Sequence, residues 1–246
     1  AVIRGLTGPG LTTLNQASGL EILNLKSLRE QVYDYLREAM NRGDLAPGAT
    51  LDLNAISRRL GVSRTPLRDA LLQLETEGFV TILPRRGCVV NLLTRDEIRD
   101  LYQLIGSLEA SVIRNEFVRI TTTVGSIMTG LNDEMAEGLR DDDFDHFYSA
   151  NLELHECFLS LSPNHRLVDL VRTMKHRLYD FPRKKTFVKE WELRSIDEHA
   201  ELIRLLEAGD AGAAADYIRD VHWSFEVQEP YIEQYYLKEL GRTGQP

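Results

Sequence analysis

Only two cysteines occur in the 246 residues, Cys88 and Cys157, and they have no metal-ligand spacing. That excludes a disulfide framework and a thiolate zinc site, and two free thiols in a reducing compartment are expected. No apolar run approaches the ~20 residues of a membrane-spanning helix. The first residues also lack the charged start and apolar core of a secretory signal, so a cytoplasmic protein with no membrane partner is expected. Positive charge is short as well: 29 basic residues stand against 38 acidic ones, a formal net charge of -9. Taken as an average, that balance argues against a nucleic-acid partner.

The average hides a division. Residues 1–90 carry 11 basic and 9 acidic residues, whereas the remainder carries 18 and 29. Phosphate attraction is therefore local to the first part, and the rest of the chain is repelled by a polyanion. With 43% hydrophobic residues the sequence has material for two cores.

The run Gly61-Val62-Ser63-Arg64-Thr65-Pro66-Leu67-Arg68-Asp69-Ala70-Leu71 reads as a tight turn feeding a helix. Gly61 suits the turn, Ser63 is a ready N-cap whose hydroxyl accepts from the first turn, and Pro66 sits early enough to be tolerated. Leu67, Ala70, Leu71 and Leu74 bury one side, while Arg64 and Arg68 share another. Upstream, Leu53, Ile56 and Leu60 mark a short helix capped by Asp52, completing a helix-turn-helix pattern. An amphipathic helix over 25–41 precedes it, ended by Asp44 to Gly48. Downstream, 78–83 and 88–91 flank Pro84-Arg85-Arg86-Gly87 and read as a hairpin with a basic tip. Arginines four apart are by themselves more often a solvated face than a site; the turn and the basic hairpin beside them point to a DNA groove.

Residues 25–91 resemble the N-terminal winged helix-turn-helix domain of the GntR family of bacterial transcription regulators. The resemblance rests on Leu60 through Leu71, followed by Leu74-Glu75 and Glu77-Gly78. It implies a double-stranded operator as partner, contacted by Ser63, Arg64, Thr65 and Arg68 and, from the wing, by Arg85, Arg86 and Gly87. Asn54 stands where some members carry a DNA-contacting arginine.

Past Asn91 the pattern changes. A linker at 92–95 leads into 96–240, helical almost throughout, with Thr94 and Glu97 at capping-box spacing. Helices are predicted over 95–119, 122–139, 142–161, 164–181, 188–208 and 211–239, broken at Thr121–Thr123, Asp141–Asp143, Ser162-Pro163-Asn164, Phe181-Pro182 and Gly209-Asp210. Residues 1–24 read as a flexible arm and 241–246 as a tail. The fold class is mainly α: an N-terminal winged helix-turn-helix plus a C-terminal all-α helical bundle.

Asn151 and His155 lie four apart on one helix face, and His199 and His222 flank the Gly209-Asp210 reversal. A lone histidine is usually a surface or hydrogen-bonded imidazole; three beside an oxygen donor inside a bundle suit a divalent ion. This region resembles the FCD ligand-binding domain of the FadR subfamily, through Leu101-Tyr102-Gln103-Leu104, Leu108-Glu109, Asn151 to His155, Glu198 to Ile203, Ala208-Gly209-Asp210 and His222. The resemblance implies a divalent metal, zinc or nickel, on Asn151, His155, His199 and His222, holding a small carboxylate effector. Asn151 replaces the usual aspartate, and Ile105 replaces an arginine that faces the effector, leaving Arg172 and Arg177 as the cations to compensate. His222 comes one residue late, about 100° further round an ideal helix, which overwinding or a π-bulge corrects. His146, His165 and His176 match nothing, and Trp191, Trp223 and Phe225 read as core.

The expected function is a homodimeric, DNA-binding regulator, a repressor, whose operator affinity follows the effector. One alternative is the same regulator with no metal and a different ligand. A helical metalloenzyme is the rival class, but no Glu or Asp stands in a recognisable catalytic motif beside the histidines.

Overall fold

Helix α1 (Leu28–Asn41) starts where Ser27 and Glu30 exchange the two bonds of a capping box. This computed structural model describes residues 26–179 and 188–234; the expected arm 1–24, the tail 241–246 and the Phe181-Pro182 break lie outside them. Val32, Leu36 and Met40 form the buried stripe of α1 and face Leu67, Ala70, Leu71 and Leu74 of α3 (Arg64–Thr76). Each such side chain contributes roughly 1.5–3 kcal/mol on burial. Between them runs α2 (Leu53–Leu60), its first turn capped by Asp52, which accepts from the Asn54 and Ala55 amides. Gly61 ends α2 at φ 63°, a left-handed conformation that costs glycine little. Ser63 takes the N-cap position of α3, but its hydroxyl makes no capping bond, so the cap expected from the sequence is absent.

The hairpin is β2 (Val80–Leu83) with β3 (Gly87–Val90). A third strand, β1 (Thr50–Leu51), pairs antiparallel with β3 and gives the sheet order β1-β3-β2.

The second core begins at Leu93 and is built on α4 (Arg95–Thr123), entered through the Thr94–Glu97 capping box. Helix α4 runs through the expected stop at Thr121–Thr123. The Thr121 and Thr122 hydroxyls donate back to the carbonyls of Phe117 and Val118, which leaves the turn helical. Helices α5 (Gly125–Arg140) and α6 (Phe144–Leu159) follow and cross closely at Gly138, where a Cβ would stand 2.6 Å from the Phe147 nitrogen. Then come α7 (His165–Tyr179), α8 (Lys189–Glu207) and α9 (Ala211–Tyr217). The helix expected over 211–239 is interrupted: a π-turn over Ile218–His222 follows α9, and α10 (Phe225–Ile232) restarts from Ser224, whose Oγ accepts from the Val227 amide.

Candidate nucleic-acid interface and buried histidine centre

Arg64, Thr65 and Arg68 of α3 and Arg85, Arg86 and Gly87 of the wing line a single groove. All four arginines are exposed. Ser63 is exposed one residue before α3, outside the lining. Arg64 Nη2 donates to Asn54 Oδ1 at 3.1 Å, so α2 steadies the guanidinium at the mouth of the helix. Arg85 adopts φ 63° and Gly87 φ 102°, so the wing tip is a sharp turn that spreads its two arginines. Guanidinium groups on a helix N-terminus beside a basic hairpin match the geometry of groove and phosphate contact.

Three imidazoles converge in the helical body. His155 of α6, His199 of α8 and His222 of the π-turn place ring nitrogens within 4.8 Å of one another, and all three are buried. The π-turn is what delivers His222, absorbing the extra residue between Gly209 and the ring. Two of the imidazoles are oriented from behind. His155 Nδ1 lies 3.0 Å from Glu109 Oε2, and His222 Nδ1 lies 2.9 Å from Glu198 Oε2. A carboxylate on Nδ1 fixes the proton there and turns Nε2, with its lone pair, toward the centre. His155 Nε2 and His199 Nε2 stand 3.3 Å apart. Asn151 is buried on the same face of α6, and its Oδ1 has no hydrogen-bond partner among the described residues.

Burial works against a charge on two of the rings. Burial pulls His155 down to about 4, opposed by Glu109. Burial, with the charges of His222 and His155, lowers His199 well below its usual range. Burial pushes Glu109 upward, but His155 and Lys175 outweigh it and hold the carboxyl ionised. Lys175 Nζ lies 2.5 Å from Glu109 Oε1 and 5.2 Å from the Trp223 ring centroid. Trp223 Nε1 donates to Glu109 Oε2 at 2.7 Å. Three converging imidazoles, carboxylates behind two of them and an orphaned amide oxygen are a donor set that fits a divalent cation.

Two family models match the chain: the gntR family of bacterial regulatory proteins over residues 28–90, and the FCD domain over residues 100–221. The chain belongs to the GntR family. This regulator is 29% identical to the Nta operon transcriptional regulator of Aminobacter aminovorans, over 65% of its own length and 74% of the relative's. It is 22% identical to the HTH-type transcriptional repressor GlaR of Escherichia coli, over 76% and 89%. Its fold matches the solved structure of E. coli McbR/YncC with a TM-score of 0.63, at 19% identity, covering 87% of the regulator and all of that chain. The relatives are transcription regulators, and the protein is a DNA-binding regulator rather than an enzyme.

A cavity opens beside the regulator's imidazoles, lined by Tyr102, Phe147, Tyr148, Asn151, Trp191 and His222 among others. Trp191 and Trp223 both border it, so the two tryptophans read as core belong to its wall; Phe225 is core and carries Arg95 over its ring. The two arginines expected at the effector lie elsewhere. Arg172 is on the outer face of α7, bound to Glu156 and Asp169. Arg177 is buried against the winged region, its guanidinium 5.6 Å from the Phe79 ring centroid and its Nε 3.4 Å from where a Gly78 Cβ would stand. Neither arginine lines the cavity. Sequence reasoning missed Lys175, Glu198 as the partner of His222, and Gln228, which donates to Glu198 at 2.9 Å. Glu109 and Glu198 stood inside quoted motifs, but nothing in their spacing paired them with an imidazole.

Proposed function

We propose that this regulator is a homodimeric repressor whose operator affinity is set by a small carboxylate-bearing effector in the helical body. Asn151, His155, His199 and His222 would hold a divalent ion, zinc or nickel, and such an ion supplies a Lewis-acid anchor for a carboxylate oxygen. The supporting observation is the convergence of three buried imidazoles, two of them oriented by Glu109 and Glu198. Ser63, Arg64, Thr65, Arg68, Arg85, Arg86 and Gly87 supply the operator contacts, and the two copies engage half-sites of fixed spacing.

The chain's own residues give the control its physical form. Effector contact with α6, α8 and the π-turn favours one arrangement of these helices. Helix α7 carries Lys175 beneath Glu109 and Arg177 against Phe79, and so joins the histidine centre to the winged region. A change in separation of the two winged units removes simultaneous engagement of both half-sites. Elemental analysis of protein purified without chelators tests the reading, alongside operator titration before and after metal removal. Near-stoichiometric metal that disappears in His155→Ala and His199→Ala supports it; metal-free protein with unaltered operator control refutes it.

A further inference from the structure

The chemistry of the effector is written on the wall of the cavity, given the metal-centred reading above. Among the described residues no lysine or arginine lines this space. The two nearby cations are engaged from outside: Lys175 by Glu109 and Arg194 by Glu198 at 2.7 Å. Among the described residues a second carboxylate on the effector would meet no free counter-charge. What the cavity offers instead is the faces of Tyr102, Tyr148, Tyr179, Trp191 and Trp223, and the carboxyl of Glu192.

Glu192 is the group left without a task. It lies in the first turn of α8 and lines the cavity, and its carboxyl makes no hydrogen bond or ion pair among the described residues. Burial pushes it up to about 7, the mark of a carboxyl that lacks a cation. Asn151, whose Oδ1 is equally without a partner among the described residues, lines the same cavity, as does His222. The cavity therefore offers an anion the imidazole side, and offers a cation the carboxyl of Glu192 and the aromatic faces that share its lining.

We propose that the effector is a compact zwitterion, an ω-amino acid whose carboxylate meets the histidine centre and whose ammonium meets Glu192. Glu192, Ser195 and Glu198 form one stripe of α8 that faces the cavity. Glu192 and His199 are seven residues apart, about 10 Å along the helix axis at 1.5 Å per residue. The metal–oxygen bond of roughly 2 Å and an ammonium–carboxylate contact of about 3 Å take part of that distance, which suits a short chain such as one of four or five carbons. The space of about 70 Å³ has room for roughly five waters, which suits a molecule of that size.

The protein carries its own reporter, because its only two tryptophans both border the cavity. Full-length, metal-assayed protein is titrated with β-alanine, 4-aminobutyrate and 5-aminopentanoate, and with malonate, succinate and glutarate as length-matched diacids, while tryptophan emission is followed. Saturable binding by the four- or five-carbon amino acid, at least ten-fold tighter than by its matched diacid, is expected. Glu192→Gln should cut that preference to less than three-fold without changing metal content. Diacids binding as tightly as the amino acids overturns the proposal, as does an intact preference in Glu192→Gln or the absence of any amino-acid response. Elemental analysis of the same samples separates this from the reading beneath it: metal present with diacid preference sinks only the zwitterion, whereas a metal-free protein sinks both.

Discussion

Glu109 accepts from His155 Nδ1 across 3.0 Å at a point where neither side chain reaches solvent, and the same carboxylate answers the charge of Lys175. One acidic group thus orients an imidazole and neutralises a buried ammonium. Glu109→Ala leaves Lys175 uncompensated in the interior, a change that costs about 3–5 kcal/mol. Urea unfolding of metal-free protein should show that loss, and adding Lys175→Met should restore much of it. If the single and double variants are equally unstable, the pair is not coupled and Lys175 has another counter-charge.

The acid response of the metal-free protein follows from the same burial. An unfolded histidine takes up its proton near pH 6.5, while His155 in the fold stays neutral down to about 4. Between those values the unfolded chain binds more protons, so stability is full above pH 6.5 and falls as pH drops toward 4. His155 alone accounts for roughly 3 kcal/mol, and His199, lowered by burial and its neighbours, acts in the same direction. Chelated protein should therefore lose urea midpoint steadily from pH 7 to 4.5, and replacing both rings with Phe should flatten the curve. A flat profile in the unaltered protein would mean the rings are already charged in the fold.

What the sequence made legible was local. Leu67, Ala70, Leu71 and Leu74 announce the buried side of α3, and the arginines opposite share a groove with the wing because a few residues of turn fix that geometry. The three histidines also come together: helix periodicity places His155 and His199, and the π-turn brings His222 round to them. The pairing of Glu109 with Lys175 was not legible, because it is made across a helix interface whose register depends on the packing of the whole core. Arg177 misled for the same reason: its position on α7 was evident, but its neighbour Phe79 belongs to the other core. The two-residue strand β1 carries no periodicity to read.

The π-turn makes an unusual demand on indels. Ile218–His222 accommodates one residue more than a regular helix, and His222 faces its partners because of it. Deleting Asp220, which is exposed and bound to Arg219, removes the surplus and lets the segment close as α-helix with His222 in nearly the same place. Metal stoichiometry of this deletion should stay near that of the parent, whereas inserting an alanine after Asp220 turns the ring away by about 100° and should abolish it. Loss of metal in both variants would contradict the compensating role of the bulge.

Arg177 should separate binding from control. It lies outside the cavity and against Phe79 and Gly78, so Arg177→Ala leaves the imidazoles untouched. Metal content is expected to remain as in the parent, while the ratio of operator affinities between metal-loaded and chelated protein falls toward one. An unchanged ratio would remove α7 from the route between the two cores.

The recognition helix makes the sharpest demand on DNA. Arg68 projects from α3 into the shared groove and is exposed, whereas Arg64 is braced by Asn54. If Arg68 reads a base edge, Arg68→Ala weakens operator binding by about 1–3 kcal/mol and relaxes discrimination at one position, with little effect on random DNA. If Arg86 on the wing meets phosphate instead, Arg86→Ala should weaken operator and random duplex alike and lower the salt slope by about one. Asn54→Ala removes the brace, and the freed guanidinium loses fixed geometry; its cost should appear as lost specificity more than lost affinity. Titrations at three salt concentrations on operator and scrambled duplex tell these apart. Equal losses on both duplexes for Arg68→Ala would make it a phosphate contact and place sequence reading elsewhere on α3.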